Sequence, residues 1–162
     1  MVKCYALTDK KQQEFCALFA DYYAELGCDE DTDHLLDEYV IADCKAGLLS
    51  VYLLDDDEKT VGFVIFQTDR AENEWCEKEG WGDVRELYVS PSSRGKGLGK
   101  FMLLTAEMLL KESGASNCYC LPAEGTEGFF ISCGYAESEE RCDEMDCAFF
   151  IKDISKSCGC QK

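Results

Sequence analysis

Strand-like runs and helical apolar spacings alternate along the second half of the chain, which predicts an α/β (α+β) domain with a mixed central sheet. Apolar residues fill 46% of its 162 positions and only two residues are proline, the composition of a globular chain. That length most simply makes one domain with room for a substantial core. The expected division is a domain over 1–157 and a short cysteine-containing tail over 158–162.

Each element follows from its pattern. "VKCYAL" alternates weakly and suits a short opening strand. Thr8 can cap a helix whose apolar face is Phe15, Leu18, Phe19, Tyr22 and Leu26, stopped by Gly27. A shorter helix carries Leu35, Leu36, Tyr39 and Val40 on one face. "LLSVYLL" and "TVGFVIFQT", joined by "DDDEK", read as a hairpin. Residues 68–82 show no period and make a long loop, with Trp75 and Trp81 either pinning it to the core or covering a ligand. "DVRELYVS" is a strand, and Leu98, Phe101, Met102, Thr105, Met108 and Leu109 repeat at helical spacing up to Gly114. "NCYCL" is a strand, "TEGFFISC" a short helix and "DCAFFIKDI" a final strand; "AESEERCDEM" should hold a further strand and a turn.

Thirty-three Asp and Glu stand against sixteen Lys and Arg, a net charge of −17. Such a surface repels phosphate backbones and anionic lipid, and it attracts a cationic small molecule or a basic protein segment. It also keeps a protein soluble. No segment approaches the roughly 20 apolar residues of a membrane span, and the N-terminus meets charge too early for a signal-peptide core, so the expected compartment is the cytoplasm. There the twelve cysteines stay reduced and serve mostly as small buried hydrophobes. The pairs Cys118/Cys120 and Cys158/Cys160, with His34 as the lone imidazole, match no zinc spacing, and no metal is expected.

Against this acidic background, "SPSSRGKGLGKF" at 90–101 concentrates three glycines and three cations before an apolar helix. The first amides of a helix lack internal partners and lie at the positive end of its dipole. Glycines let a phosphate approach them, and Arg94, Lys96 and Lys100 add charge-assisted contacts. The stretch is therefore an anion cradle suited to a diphosphate. It is not a Walker A loop, because Phe101 follows Lys100, and it lacks the G-x-G-x-x-G spacing of a first dinucleotide-binding unit.

Arg94-Gly95-Lys96-Gly97-Leu98-Gly99 reads as R-x-x-G-x-G, with "LYVSP" ahead and "FFISCGY" behind. In these residues the chain resembles the GNAT superfamily of acetyl-CoA-dependent N-acetyltransferases; residues 1–80 match only in element order. The resemblance implies a mostly antiparallel sheet with a V-shaped splay between its two central strands, and acetyl-CoA as co-substrate. It assigns Leu87, Tyr88 and Val89 to the pantetheine arm, and Arg94, Gly95, Lys96, Gly97, Leu98, Gly99 and Lys100 to the diphosphate. A homodimer would also be in keeping with the superfamily.

A primary alkylammonium, with a pKa near about 10.4, must lose a proton before it can attack a thioester. A carboxylate can accept it, and Glu86 and Asp83 are the candidates, Glu86 favoured as nearer the thioester arm. Strand alternation puts the two on opposite faces. Many members of the superfamily supply a tyrosine as proton donor where this chain has Phe130, and the asparagine usual before that helix is missing from "LPAEGTEG". Either the thiolate leaves unaided or another hydroxyl acts, Tyr135 and Tyr119 being the nearest, although Tyr135 occupies an ordinary core position.

The superfamily's acceptor regions correspond here to "CDEDTDHLLDE" and "AESEERCDEMD", the two most acidic stretches, which implies a cationic acceptor such as a polyamine, an aminoglycoside-like compound or a lysine side chain. Alternatives are a different acyl donor or an O-acceptor, a catalytically degenerate coenzyme A-binding regulatory module, and a thiol-rich metal-binding protein.

Overall fold

In the computed structural model, which describes residues 1–28 and 31–156, seven strands form one sheet in the order β1-β2-β3-β4-β5-β7-β6. They are β1 (Val2–Ala6), β2 (Ser50–Asp56), β3 (Lys59–Thr68), β4 (Gly82–Val89), β5 (Asn117–Cys120), β6 (Ala136–Cys142) and β7 (Cys147–Asp153). The β4–β5 ladder is parallel, whereas β1–β2, β2–β3, β5–β7 and β6–β7 are antiparallel. The expected mixed, mostly antiparallel sheet is therefore present. Four helices accompany it: α1 (Gln12–Glu25); α2, running through Thr32–Leu35, Leu36–Ile41 and Ala42–Lys45; α3 (Leu98–Glu112); and α4 (Glu127–Ser132). The expected tail at 158–162, with Cys158 and Cys160, lies outside the described residues.

Contacts divide the chain into two compact units, the first made of Met1–Phe66 and Glu86–Thr105. Its core joins Phe15, Leu18 and Phe19 of α1 to Leu53, Phe63 and Ile65 of the hairpin. Phe15 and Phe63 meet edge to face at 5.3 Å, a favourable aromatic geometry. Leu26, expected on this face, is 42% exposed, because it lies past the last helical residue, where helical period no longer sets its direction. Thr8 makes no side-chain cap; its carbonyl closes a tight 3₁₀ turn, Asp9–Lys11, onto the Lys11 amide. In α2 the central turn has π geometry, and its extra width brings Ile41 inward beside Leu36 and Val40. The hairpin turns on Asp57 and Glu58, both at positive φ, the two-residue geometry that matches strand twist.

The second unit comprises Gln67–Arg85 and the chain from Ala106 onward. The long loop expected after β3 is present, and it is organised by one buried carboxylate. Asp69, 0% exposed, accepts from the Gln67 side chain, the amides of Glu77 and Lys78, and the Tyr119 hydroxyl. Trp81 packs on the Tyr119–Cys142–Phe149 cluster, and Trp75 stacks under Arg85 at 4.8 Å. Gly82 is required sterically, since a Cβ there would lie 2.7 Å from Leu110 Cδ1.

Helix α3 corrects one expectation. Its buried residues are Leu98, Met102, Leu103, Ala106, Glu107 and Leu110, while Phe101 and Met108 are exposed. The sequence of α3 is apolar on more than one stripe, so helical spacing alone admits two faces.

Candidate active site

The loop after β4 is built by its own backbone. The Ser90 amide donates to the Val61 carbonyl, and Pro91–Ser93 form a 3₁₀ turn closed by Ser93 N to Ser90 O, both at 2.8 Å. Gly95 and Gly97 take φ of +78° and +79°, and a Cβ at either would meet nothing within 4 Å. These glycines are thus needed for their backbone conformation, and the space beside them is open. The first helical bond of α3 runs from Phe101 N to Gly97 O, so the amides of Leu98, Gly99 and Lys100 precede the helical ladder.

Each cation of this loop has a defined place. Arg94 forms a two-pronged pair with Glu25 at 2.8 Å per contact, donates Nε to the Val89 carbonyl at 2.7 Å, and lies 5.6 Å from the Tyr88 ring. Lys96 pairs with Asp56 at 3.3 Å, and Lys100 is exposed. Leu98 is buried, which leaves only its backbone to serve an anion.

Leu87, Tyr88 and Val89 end β4. Tyr88 and Val89 are buried, Tyr88 among Tyr22 and Phe63 at 5.5 and 5.7 Å. A Cβ on Gly62 would fall 2.5 Å from the Tyr88 carbonyl oxygen, so this glycine lets β3 approach the backbone of β4. The β4–β5 ladder contains Gly82↔Cys118 and Asp83↔Tyr119, although β4 continues to Val89.

Glu86 meets two phenols of α1: the Tyr22 hydroxyl donates to Oε2 and the Tyr23 hydroxyl to Oε1, the latter at 3.4 Å. Burial, then the charge of Glu86, raises the Tyr22 pKa far above a phenol's usual value, which keeps it a hydrogen-bond donor. Asp83 is buried and lies beside the Tyr119 hydroxyl, whose single proton goes to Asp69 at 2.7 Å. Tyr135 is 3% exposed, with its hydroxyl 3.1 Å from Cys118 Sγ and its ring 5.6 Å from that of Phe130. Burial above all raises the pKa values of Tyr119 and Tyr135 well beyond the ordinary phenol value.

Sequence reasoning missed Glu25, Tyr22, Tyr23 and Gly62. The helical period places Tyr22 only on the apolar face; the hydroxyl it carries is a usable signal, since a half-buried phenol seeks a polar partner. Glu25 and Gly62 carry no such mark, because only the fold brings them to Arg94 and Tyr88.

Of the acidic stretches, residues 29 and 30 lie outside the described residues. Asp31 caps α2 through the Asp33 and His34 amides, and His34 lies 3.4 Å from Glu38. In the second unit an open pocket of about 530 Å³ is lined by Glu77, Lys78, Glu140, Arg141, Asp143, Glu144 and Phe149. The described cysteines are free thiols, and burial pushes the pKa of Cys118 up to about 12. Among the described residues no group of three or more His, Cys, Asp or Glu is placed to hold a metal ion, and no helix is long and apolar enough to cross a membrane.

A strand that runs through a turn with two positive-φ glycines into a helix whose first amides precede the ladder has the local geometry of an anion-binding helix start. The model of the acetyltransferase (GNAT) family matches residues 13–135, and the chain belongs to that family of acetyltransferases. Comparison with curated proteins finds no match. Solved structures share the fold at low identity. A GNAT-family acetyltransferase from Staphylococcus aureus Mu50 is 15% identical with a TM-score of 0.73, over 95% of this chain and 99% of that one. The PaiA N-acetyltransferase of Thermoplasma acidophilum, solved with coenzyme A, is 15% identical with a TM-score of 0.70, over 94% and 99%. A predicted acetyltransferase from Clostridium acetobutylicum, solved with acetyl-CoA, is 16% identical with a TM-score of 0.74, over 88% and 95%.

Proposed function

We propose that this GNAT acetyltransferase moves the acetyl group of acetyl-CoA to a primary amine of a cationic acceptor, by direct attack in a ternary complex. The observation that carries the reading is the loop Arg94–Lys100, with two positive-φ glycines bordered by open space and three helix-leading amides. Acetyl-CoA fits that loop: its diphosphate would take the amides of Leu98, Gly99 and Lys100 with charge from Arg94, Lys96 and Lys100. When bound, it supplies an acetyl group activated as a thioester. Relatives solved with coenzyme A and acetyl-CoA support this choice of donor.

The chain's own residues then have three tasks. Leu87, Tyr88 and Val89 offer backbone groups to the pantetheine arm, and an N–H among them meets the negative charge that grows on the acetyl oxygen, a contact worth about 10²- to 10³-fold in rate. Glu86, held by Tyr22 and Tyr23, takes the amine proton directly or through a water. Asp83 is the second carboxylate of the strand, and its neighbour Tyr119 favours a structural role for it. Tyr135, with its hydroxyl against the Cys118 thiol, is assigned to packing, so the thiolate leaves without help from it. The carboxylates at the end of β6 and in the 143–146 turn support a cationic acceptor.

The test is thiol release from acetyl-CoA across an amine panel with polyamines, aminoglycosides, lysine peptides and neutral amines. Turnover is expected to be fastest with polycations, and its advantage over neutral amines should shrink as salt rises. Coenzyme A binding with no turnover on any amine would replace this reading with that of a regulatory module.

A further inference from the structure

The hairpin of β6 and β7 sets Cys142 directly opposite Cys147, across the four-residue turn 143–146. Residues opposed in an antiparallel ladder share one face of the sheet, with Cα atoms about 4.5–5.5 Å apart. Disulfide-bonded cysteines span about 4.4–6.8 Å between Cα atoms, so the pair already meets that requirement. Opposed Cβ atoms lie about 4.5–5.5 Å apart, at or beyond the upper edge of the disulfide range of about 3.5–4.5 Å. Closing the bond therefore takes a small added twist at the hairpin end. The other strand cysteines lack this arrangement: Cys4 faces Leu54, Cys118 faces Lys152 and Cys120 faces Phe150.

Access divides the two thiols by role. Cys147 is half-buried, while Cys142 is 2% exposed, packed with Tyr119 and Phe149, and donates to Glu77 Oε1 at 3.8 Å. Glu77 is one wall of the 530 Å³ pocket, and Asp143 and Glu144 of the turn form another part of it.

We propose that Cys142 and Cys147 are a reversible redox pair, which a small-molecule disulfide converts to an intramolecular disulfide that ties the turn and alters the pocket wall at Glu77. Deprotonated Cys147 attacks one sulfur of the small disulfide, forming a mixed disulfide and releasing one thiolate. Cys142, losing its proton, then attacks the Cys147 sulfur and expels the second thiol. Two protein thiols are oxidised and the small disulfide is reduced to two thiols, so atoms and electrons balance. A bond strained by its hairpin belongs to the labile class, which a dithiol readily reopens. Burial raises the pKa of Cys147, so exchange should accelerate as pH rises through the neutral range.

The reduced chain is incubated with glutathione disulfide, its remaining thiols are alkylated, and it is cut without reduction by a protease that cleaves after glutamate. Cleavage after Glu144 separates Cys142 from Cys147, so their peptides stay joined only through the new bond. The expected result is that joined pair, released by dithiothreitol. Cys142→Ser should retain glutathione on Cys147, whereas Cys147→Ser should leave Cys142 unmodified. The proposal is overturned if either cysteine of the unaltered chain pairs elsewhere, or if both remain alkylatable once the exposed Cys28 has reacted. Because mapping is done on the unaltered chain, neither the folding of a variant nor acetyl transfer enters the result.

Discussion

Arg94 and Glu25 are joined fork to fork, Nη1 to Oε1 and Nη2 to Oε2, at 2.8 Å each. With Nε on the Val89 carbonyl, three of the five guanidinium donors are spent and the plane of the group is fixed. The two donors left over are aimed by the same fork. Arg94 lowers the pKa of Glu25 below the usual carboxylate value, so the pair is intact at neutral pH and is lost only as pH falls through that lowered value.

Arg94→Lys keeps the charge and loses the fork. At about 1.5–3 kcal/mol for a hydrogen bond to a charged group, the KM for acetyl-CoA should rise at least tenfold while kcat changes little. Glu25→Gln keeps an acceptor, and an exposed pair is worth about 0.2–1 kcal/mol, so its effect should stay within about fivefold. Steady-state kinetics at fixed ionic strength check both, and an unchanged KM in Arg94→Lys would remove Arg94 from the cradle.

Gly97→Ala isolates backbone conformation from bulk, because nothing stands within 4 Å of the added Cβ. A left-handed residue with a side chain costs about 1–2 kcal/mol, and the loop can relieve this by shifting the amides that lead into α3. Calorimetry should find coenzyme A binding weakened about tenfold with circular dichroism unchanged. Gly125→Ala is the control, since Gly125 also has positive φ and open space but lies outside the cradle. Equal losses in the two variants would mean general strain.

Glu86→Gln should lower kcat by about 10²- to 10⁴-fold and leave the KM for acetyl-CoA in place, as expected for loss of a general base. Tyr22→Phe keeps the ring against Phe63 and Tyr88 and removes one donor to the carboxylate. Donors to a carboxylate favour its charged form, so the acid limb of kcat/KM should move to higher pH. A flat pH response in Tyr22→Phe with full activity in Glu86→Gln would require another base.

The proposed cradle was legible because its chemistry is local: glycines, cations and a helix start lie within the seven residues Arg94–Lys100. The partners of that chemistry were not. Tyr22 is 64 residues from Glu86 and Glu25 is 69 from Arg94, and no spacing rule reaches across such separations. The burial of Asp69 was hidden for a related reason, since its donors come from the loop it organises and from Tyr119, 50 residues on. Period identified α3 as a helix and misplaced its face, because Phe101 and Met108 are as apolar as Leu103 and Leu110, and only packing separates them.

The second unit contains a test of how much one buried pair supports. Lys152 Nζ donates to Glu107 Oε2 at 2.7 Å, with side-chain exposures of 18% and 8%, and Oε1 takes no hydrogen bond among the described residues. Lys152 also covers the Tyr135 ring at 5.5 Å. Lys152→Met fills the same space without charge and leaves Glu107 buried and unpaired, which costs about 3–5 kcal/mol. For a chain of this size each kcal/mol moves Tm by about 2–4 °C, so a fall of about 6–20 °C is expected. Lys152→Met combined with Glu107→Leu removes both charges and should recover most of that loss. Scanning calorimetry of the two variants beside the unaltered chain decides the matter: if the double variant is no more stable than Lys152→Met, packing of the lysine stem against Tyr135, and not charge compensation, is what the pair contributes.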